Sequence, residues 1–477
     1  MKQPNILLIM ADQQRADAMG CSGGWISTPN LDRIAAEGVR FTNAVTTSPA
    51  CVPARMSQIT GRYPHNTQVW NNFRHDLEAE TPSWWRAVRD AGYRTSLFGK
   101  THLHHHDGDL RDREHLVRAF GMDDIDEIPG PRASVRCLSH MTEGWEKQGL
   151  WQQLKDDYQD RFAAGNPARP SVLPLEAYPD VYVGQRAKRY LADYDRDEPW
   201  FCHVSFGGPH EPWDAPAAYA DKYDPKAMPL PVDSRETLPA EGLDGNIGER
   251  LRKTRENNPD GPLAAEIAAK RANYAGNVTL IDDQIGEILD VIERRGEMEH
   301  TVIVFTSDHG EMNGDHVLVM KGHFLNGALR VPLLVRTPET AAAKPDRPRV
   351  CDAPVEWIDV GPTVTELAGA EIPHRHWARS LVPVIENPDR EHRSFALSEI
   401  SGEVMIMDRE WKLIFNREGD PYLLFDQKND PEEKYNRLGE PQHAGVVEDL
   451  RRRLLQRMIA TQLDQSRGGA GSLKTEQ

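Results

Sequence analysis

The amino-acid sequence predicts an α/β fold: a large, mostly parallel sheet flanked by helices, followed by a small C-terminal antiparallel subdomain. Short unbroken apolar runs alternate with helical stretches through most of the chain, as expected for strands covered by helices on both faces. Several of those runs stop abruptly at Asp, Lys or His. Past Leu381 the rhythm changes to four shorter apolar segments separated by turn residues.

In chain order, the run 6–10 reads as a buried strand because it is apolar throughout and gives way to Asp12; a helical pattern follows over 30–36. The same order recurs at 94–98 and at 200–206. It is clearest at 302–306, which follows an amphipathic stretch over 278–294. Another amphipathic helix is expected over 81–91. Between 166 and 262, Pro209, Pro212, Pro216, Pro225, Pro229 and Pro231 remove ladder donors, so this region reads as loops and short helices around a site. The segments 395–397, 404–407, 411–415 and 422–425 suggest the antiparallel sheet, and a charged helix follows near 447–459. The expected organisation is a large α/β domain over 1–385, an α+β subdomain over 386–464 and a flexible tail over 465–477.

At 477 residues, with 39% hydrophobic and 27% charged, the chain can bury a large core, and no apolar run approaches the roughly 20 residues that span a bilayer. No membrane association is expected. The run 6–10 is too short for the apolar core of a secretion signal. Five cysteines, Cys21, Cys51, Cys137, Cys202 and Cys351, form no CxxC pair and no even-numbered framework, so a reducing cytoplasm is the expected location. A net charge of −17 disfavours nucleic acid as a partner. An anionic small molecule would need a locally positive pocket.

The densest chemistry lies in Cys51-Val52-Pro53-Ala54-Arg55, followed by Ser57, Thr60, Gly61 and Arg62. Pro53 suits the first turn of a helix, which places Cys51 at the helix N-terminus, where free N–H groups favour an anion. Arg55, four residues on, shares its face. Asp12 and Gln13 follow one strand, and Asp308 and His309 follow another. Both pairs would lie at the carboxyl edge of a parallel sheet, where open α/β sheets place their sites. Lys100 and His102 follow the strand at 94–98. His210 stands in Gly208-Pro209-His210-Glu211-Pro212, and Lys321 stands in Met320-Lys321-Gly322.

These stretches resemble, in the same order, the CxPxR, GKxH and PHxP elements and the metal-binding pairs of the sulfatase family in the alkaline phosphatase superfamily. The resemblance, close to arylsulfatases and phosphonate monoester hydrolases, runs from Asn5 to about Leu438 and is weakest over 107–200 and 233–262. It implies an alkaline-phosphatase-like fold and hydrolysis of small-molecule sulfate esters. It also implies that a formylglycine-generating enzyme, or an equivalent system, oxidises Cys51 to formylglycine. An aldehyde hydrate offers two hydroxyls on one carbon, one to attack and one to expel the bound group, which a thiol could not do.

By the same resemblance, one divalent metal ion is held by Asp12, Gln13, Asp308 and His309 together with residue 51. Gln13 and His309 stand where many members have Asp and Asn, and this softer, less anionic set leans from Ca²⁺ towards Mn²⁺. Arg55 and Lys100 would hold the hydrate, and His102 would be the base. His210 and Lys321 would bind the anion's oxygens and assist the leaving group. His104, His105 and His106 continue past the matched element and read as an exposed loop near the pocket mouth.

Two other functions stay open. A phosphonate monoester or phosphodiester hydrolase would share the nucleophile and metal set, although Lys100 and His102 favour sulfate. A non-catalytic protein binding a sulfated ligand is disfavoured because every chemical position is filled by a competent residue. Trp70, Trp84 and Trp85 offer aromatic faces for a quaternary ammonium such as choline sulfate, but Trp84 and Trp85 fall in the expected helix, where at least one reads as core. The leaving group is undetermined, and a homo-oligomer is compatible with everything above.

Overall fold

A computed structural model describes residues 3–73, 75–257, 264–344 and 347–463. Its strands are β1 (Asn5–Ala11), β2 (Val39–Phe41), β3 (Ala44–Val45), β4 (Arg94–Gly99), β5 (Asp124–Glu127), β6 (Trp200–Ser205), β7 (Thr301–Ser307), β8 (Leu333–Arg336), β9 (Arg349–Cys351) and β10 (Val355–Glu356). A C-terminal group adds β11 (Ala396–Ile400), β12 (Glu403–Met407), β13 (Trp411–Phe415) and β14 (Pro421–Asp426). Eight strands form one sheet in the order β5-β4-β6-β1-β7-β8-β2-β9, and β11 to β14 form an antiparallel sheet in chain order. Within the large sheet only β8 runs against its neighbours.

The unbroken apolar character of β1 follows from burial on both faces. Ile6, Leu8 and Met10 join Val302 and Val304 in one core, whereas Leu7 and Ile9 join Ile303 and Phe305 in the other. A strand with a wet face would alternate instead. Trp84 and Trp85 open the helix Trp84–Asp90 and are 0% and 2% exposed, so both belong to the first core and neither faces a ligand.

The helix expected over 278–294 runs from Ala264 to Arg294. Its first half was hidden because Lys270, Arg271, Asn273 and Asn277 interrupt the apolar pattern. Those polar groups are buried and tether loops: Arg271 bonds Asp315 and the Asn313 carbonyl, and Asn273 accepts the Ala215 N–H.

Buried charge joins the start of the C-terminal sheet to the small parallel pair β3-β10 and the turn after it. Arg393 pairs with Asp359 and Glu356, and the Tyr63 hydroxyl donates to Glu356 at 2.6 Å. The charged helix spans Ala444–Ala460, and the expected tail over 465–477 lies outside the described residues. No helix among the described residues is long and apolar enough to cross a membrane.

Register decides where the chemistry gathers. Ala11 pairs with Ser307, Met10 with Ser205, and Ser205 with Gly99, so β1, β7, β6 and β4 end at one level. Asp12, Asp308, Phe206 and Lys100 therefore leave the sheet side by side.

Candidate active site

Cys51 begins the helix Cys51–Thr60 and is 1% exposed. Ala50 before it is extended, and Gly61 ends the helix in the left-handed region at φ 66°. One turn along, Arg55 reaches back across the strand ends. It donates from Nη2 to Asp12 Oδ2 at 2.9 Å, from Nε to Asp308 Oδ2 at 2.7 Å, and from Nη1 to the Lys100 carbonyl and Ser205 Oγ. A buried guanidinium thus clamps two buried carboxylates in a fixed relative position. Lys100 joins them through Asp12 Oδ2. Its place depends on Gly99, which has φ 117° and lies so close to the Ser205 carbonyl that a Cβ would sit 1.9 Å away.

His309 donates from Nδ1 to the Gly310 carbonyl at 2.9 Å, which leaves Nε2 as the bare nitrogen, 3.0 Å from Cys51 Sγ. Ligand atoms of Asp12, Cys51, Asp308 and His309 all lie within 4.8 Å of one another, and all four residues are buried. Two carboxylates, an imidazole with its lone pair turned inward and the side chain at position 51 fit a single divalent cation.

Gln13 is placed differently from its neighbours. Its Oε1 accepts from Lys321, while its Nε2 donates to Glu311 and to Glu211 Oε2 at 3.2 Å. Carboxylates only accept, so the two glutamates turn the amide nitrogen towards themselves and leave the oxygen to Lys321. Glu311 is itself held by the N–H groups of Asn313 and Met320. Glu311→Gln, which can donate as well as accept, is expected to release that orientation and weaken divalent-cation binding about 10- to 100-fold. Calorimetric titration of metal-free protein with Mn²⁺ measures this, and an unchanged affinity would show that Glu311 does not orient Gln13.

His210 follows β6 on the strand-end loop, whose Gly208 carbonyl accepts the Asp12 N–H at 2.9 Å. The His210 Nδ1 donates to the Glu211 carbonyl, and Nε2 faces Lys321 Nζ at 2.6 Å. His102, half-buried and at φ 56°, stands with Nδ1 unbonded and its ring 4.3 Å from that of His106. Lys100, His102, His210 and Lys321 thus come together with Cys51, Arg55 and the metal cluster.

Electrostatics follows from this crowding. Burial would raise Asp12, but Lys100 and Arg55, both bonded to its Oδ2, hold it well below the carboxylate range. Burial and Asp12 work against ionisation of Cys51, yet Lys100 and Lys321 prevail and lower the thiol. Burial, reinforced by Lys100, His106 and Arg55, keeps His102 neutral, and burial with Lys321 does the same for His210.

The expectation that His104 to His106 form an exposed loop is corrected by the structure. His104 and His106 are buried against Glu127 at the end of β5, which accepts from His104 Nε2 at 2.7 Å and from His106 Nε2 at 3.3 Å. Only His105 is partly exposed. Glu127, Glu211 and Glu311 were missed at the sequence level. Glu211 and Glu311 had a local signal, since each lies within three residues of a motif residue. Glu127 had none.

Comparison with known proteins is consistent along the whole chain. The sulfatase family model matches residues 4–370, and one described as N-sulphoglucosamine sulphohydrolase, C-terminal, matches 314–460. The multifunctional alkaline phosphatase superfamily protein PehA of Trinickia caryophylli is 30% identical, over 95% of this chain and 95% of its own. An arylsulfatase of Clostridium perfringens is 29% identical, over 96% of this chain and 94% of its own. The phosphonate monoester hydrolase SpPMH of Silicibacter pomeroyi superposes with a TM-score of 0.77 at 25% identity, covering 96% of each chain.

Proposed function

Because this chain belongs to the sulfatase family, and is thereby a sulfuric ester hydrolase, we propose that it hydrolyses sulfate monoesters, in the manner of an arylsulfatase, to inorganic sulfate and an alcohol or phenol. The observation that carries the reading is the meeting of Lys100, His102, His210 and Lys321 around Cys51 and the buried Asp12, Asp308, His309 cluster. Formylglycine made from Cys51 would supply the attacking oxygen, and a Mn²⁺ or Ca²⁺ ion held by Asp12, Gln13, Asp308 and His309 would lower its pKa. Arg55 keeps the two aspartates in register. Lys100 and Lys321 bring positive charge to the sulfate oxygens. His102, held neutral, is free to take a proton. The hydrogen bond between Lys321 and His210 keeps a proton available for the leaving oxygen.

Cys51 is almost wholly covered in the folded chain, so a maturation enzyme would have to act before the site closes. The five cysteines are free, which supports a cytoplasmic location.

A second reading, phosphonate monoester or phosphodiester hydrolysis, is favoured by the likeness to SpPMH. Values of kcat/KM for 4-nitrophenyl sulfate and 4-nitrophenyl phenylphosphonate separate the two. The sulfate is expected to lead by at least about tenfold, or about 1.4 kcal/mol in transition-state binding. A phosphonate value above the sulfate value reverses the assignment.

A further inference from the structure

The entrance to the site has a chemistry of its own. A cavity of about 450 Å³ shares His102 and Val52 with the site, Val52 being the residue next to Cys51. Its outer wall is tied to the nucleophile helix, since Asn72 Oδ1 accepts the Val52 N–H at 3.0 Å. Beside Asn72 stands Phe73, 76% exposed and lining the same cavity. A large apolar ring left open at the mouth of a buried polar site is suited to the face of an organic group.

Arg136, exposed, lines the cavity and makes no ion pair among the described residues. Two of the acids near it are committed elsewhere. Asp76 bonds Arg113 at 3.0 Å and the His105 N–H, and Glu127 is taken up by His104 and His106. Asp107, the one carboxylate of the lining, accepts the Gly108 N–H. His75 and His105 add imidazole donors. In a protein of net charge −17, a guanidinium without an ion pair among the described residues, lining a cavity that also reaches Val52 beside the candidate nucleophile, offers a direct partner for an anionic group.

The geometry points to a leaving-group subsite at this mouth that takes an alcohol or phenol bearing a second anionic group, a carboxylate or a further sulfate, with Arg136 as its counter-ion and Phe73 as its apolar wall. The inference rests on the hydrolase reading above for the identity of the ester and adds the charge of the part that departs. It disfavours a quaternary ammonium leaving group, which would meet Arg136 and find Trp84 and Trp85 in the core.

Two aryl sulfates, 4-carboxyphenyl sulfate and 4-nitrophenyl sulfate, test it on wild type and on Arg136→Ala and Arg136→Glu. Because Arg136 is exposed, the variants are expected to keep the wild-type Tm. Arg136→Ala should raise KM for the carboxylated ester about tenfold, as expected for loss of one charge-assisted hydrogen bond, and Arg136→Glu should raise it further. KM for the nitro ester should stay within about twofold in the alanine variant. Equal changes for both esters, or none for either, overturn the subsite.

The same two leaving groups on methylphosphonate repeat the comparison if phosphonate is the better substrate. The sulfate reading can then fail while the subsite stands. Calorimetric binding of 4-hydroxybenzoate gives a readout independent of turnover: weaker binding to Arg136→Ala supports the subsite, and equal or undetectable binding to both proteins overturns it.

Discussion

Cys51→Ala is expected to lower kcat by about ten-thousand-fold or more while leaving Tm close to wild type, because the side chain removed is small and the reaction loses its nucleophile. Cys51 touches His309 and Asp12 but carries no part of either hydrophobic core beside the sheet. Cys51→Ser is the sharper variant. A single hydroxyl can accept the transferred group but has no second hydroxyl on the same carbon to expel it, so one equivalent of phenol should appear in a burst and turnover should then stop. Stopped-flow absorbance with 4-nitrophenyl sulfate measures both. Mass spectrometry of the wild-type peptide containing residue 51 should show a loss of about 18 Da, the difference between cysteine and formylglycine. Full turnover by Cys51→Ala would remove the nucleophile from this scheme.

Asp308→Asn is expected to remove the bound divalent ion and with it about a thousandfold or more of kcat/KM. The reason is structural as well as ionic. Asp308 Oδ2 receives Arg55 Nε, and Oδ1 receives the N–H groups of Gln13 and His309, so this one carboxylate organises three neighbours of the cluster. Neutralising it also leaves Arg55 with only Asp12 as a buried counter-charge, a loss of the kind that costs about 3–5 kcal/mol when a buried partner disappears outright. Metal content after equilibrium dialysis should fall from one ion per chain to none, and Tm should fall with it. One ion per chain at wild-type affinity in the variant would place the cation elsewhere.

Strands were legible wherever an apolar run met a charged residue. The run 6–10 before Asp12 and the run 302–306 before Asp308 both became central strands, because only burial on two faces tolerates four or five consecutive apolar side chains. The helix Ala264–Arg294 was half legible: its exposed-looking polar residues bond partners more than forty positions away in sequence. His104 and His106 were misjudged for the same reason, since Glu127, which buries them, lies on a different strand.

By itself the sequence determined which chemical groups stand at the strand ends. Apolar runs set where each strand stops, and the residue after the stop is read directly: Asp12, Lys100, Asp308 and, one loop on, His210. What only the tertiary structure decided is the partner each group takes. Arg55 bridges Asp12 and Asp308, Glu211 and Glu311 turn the Gln13 amide, and Arg136 lines one cavity with Val52 without an ion pair among the described residues. Those contacts join residues tens to hundreds of positions apart. They are set by sheet register and loop packing, through-space quantities that no local run of residues encodes.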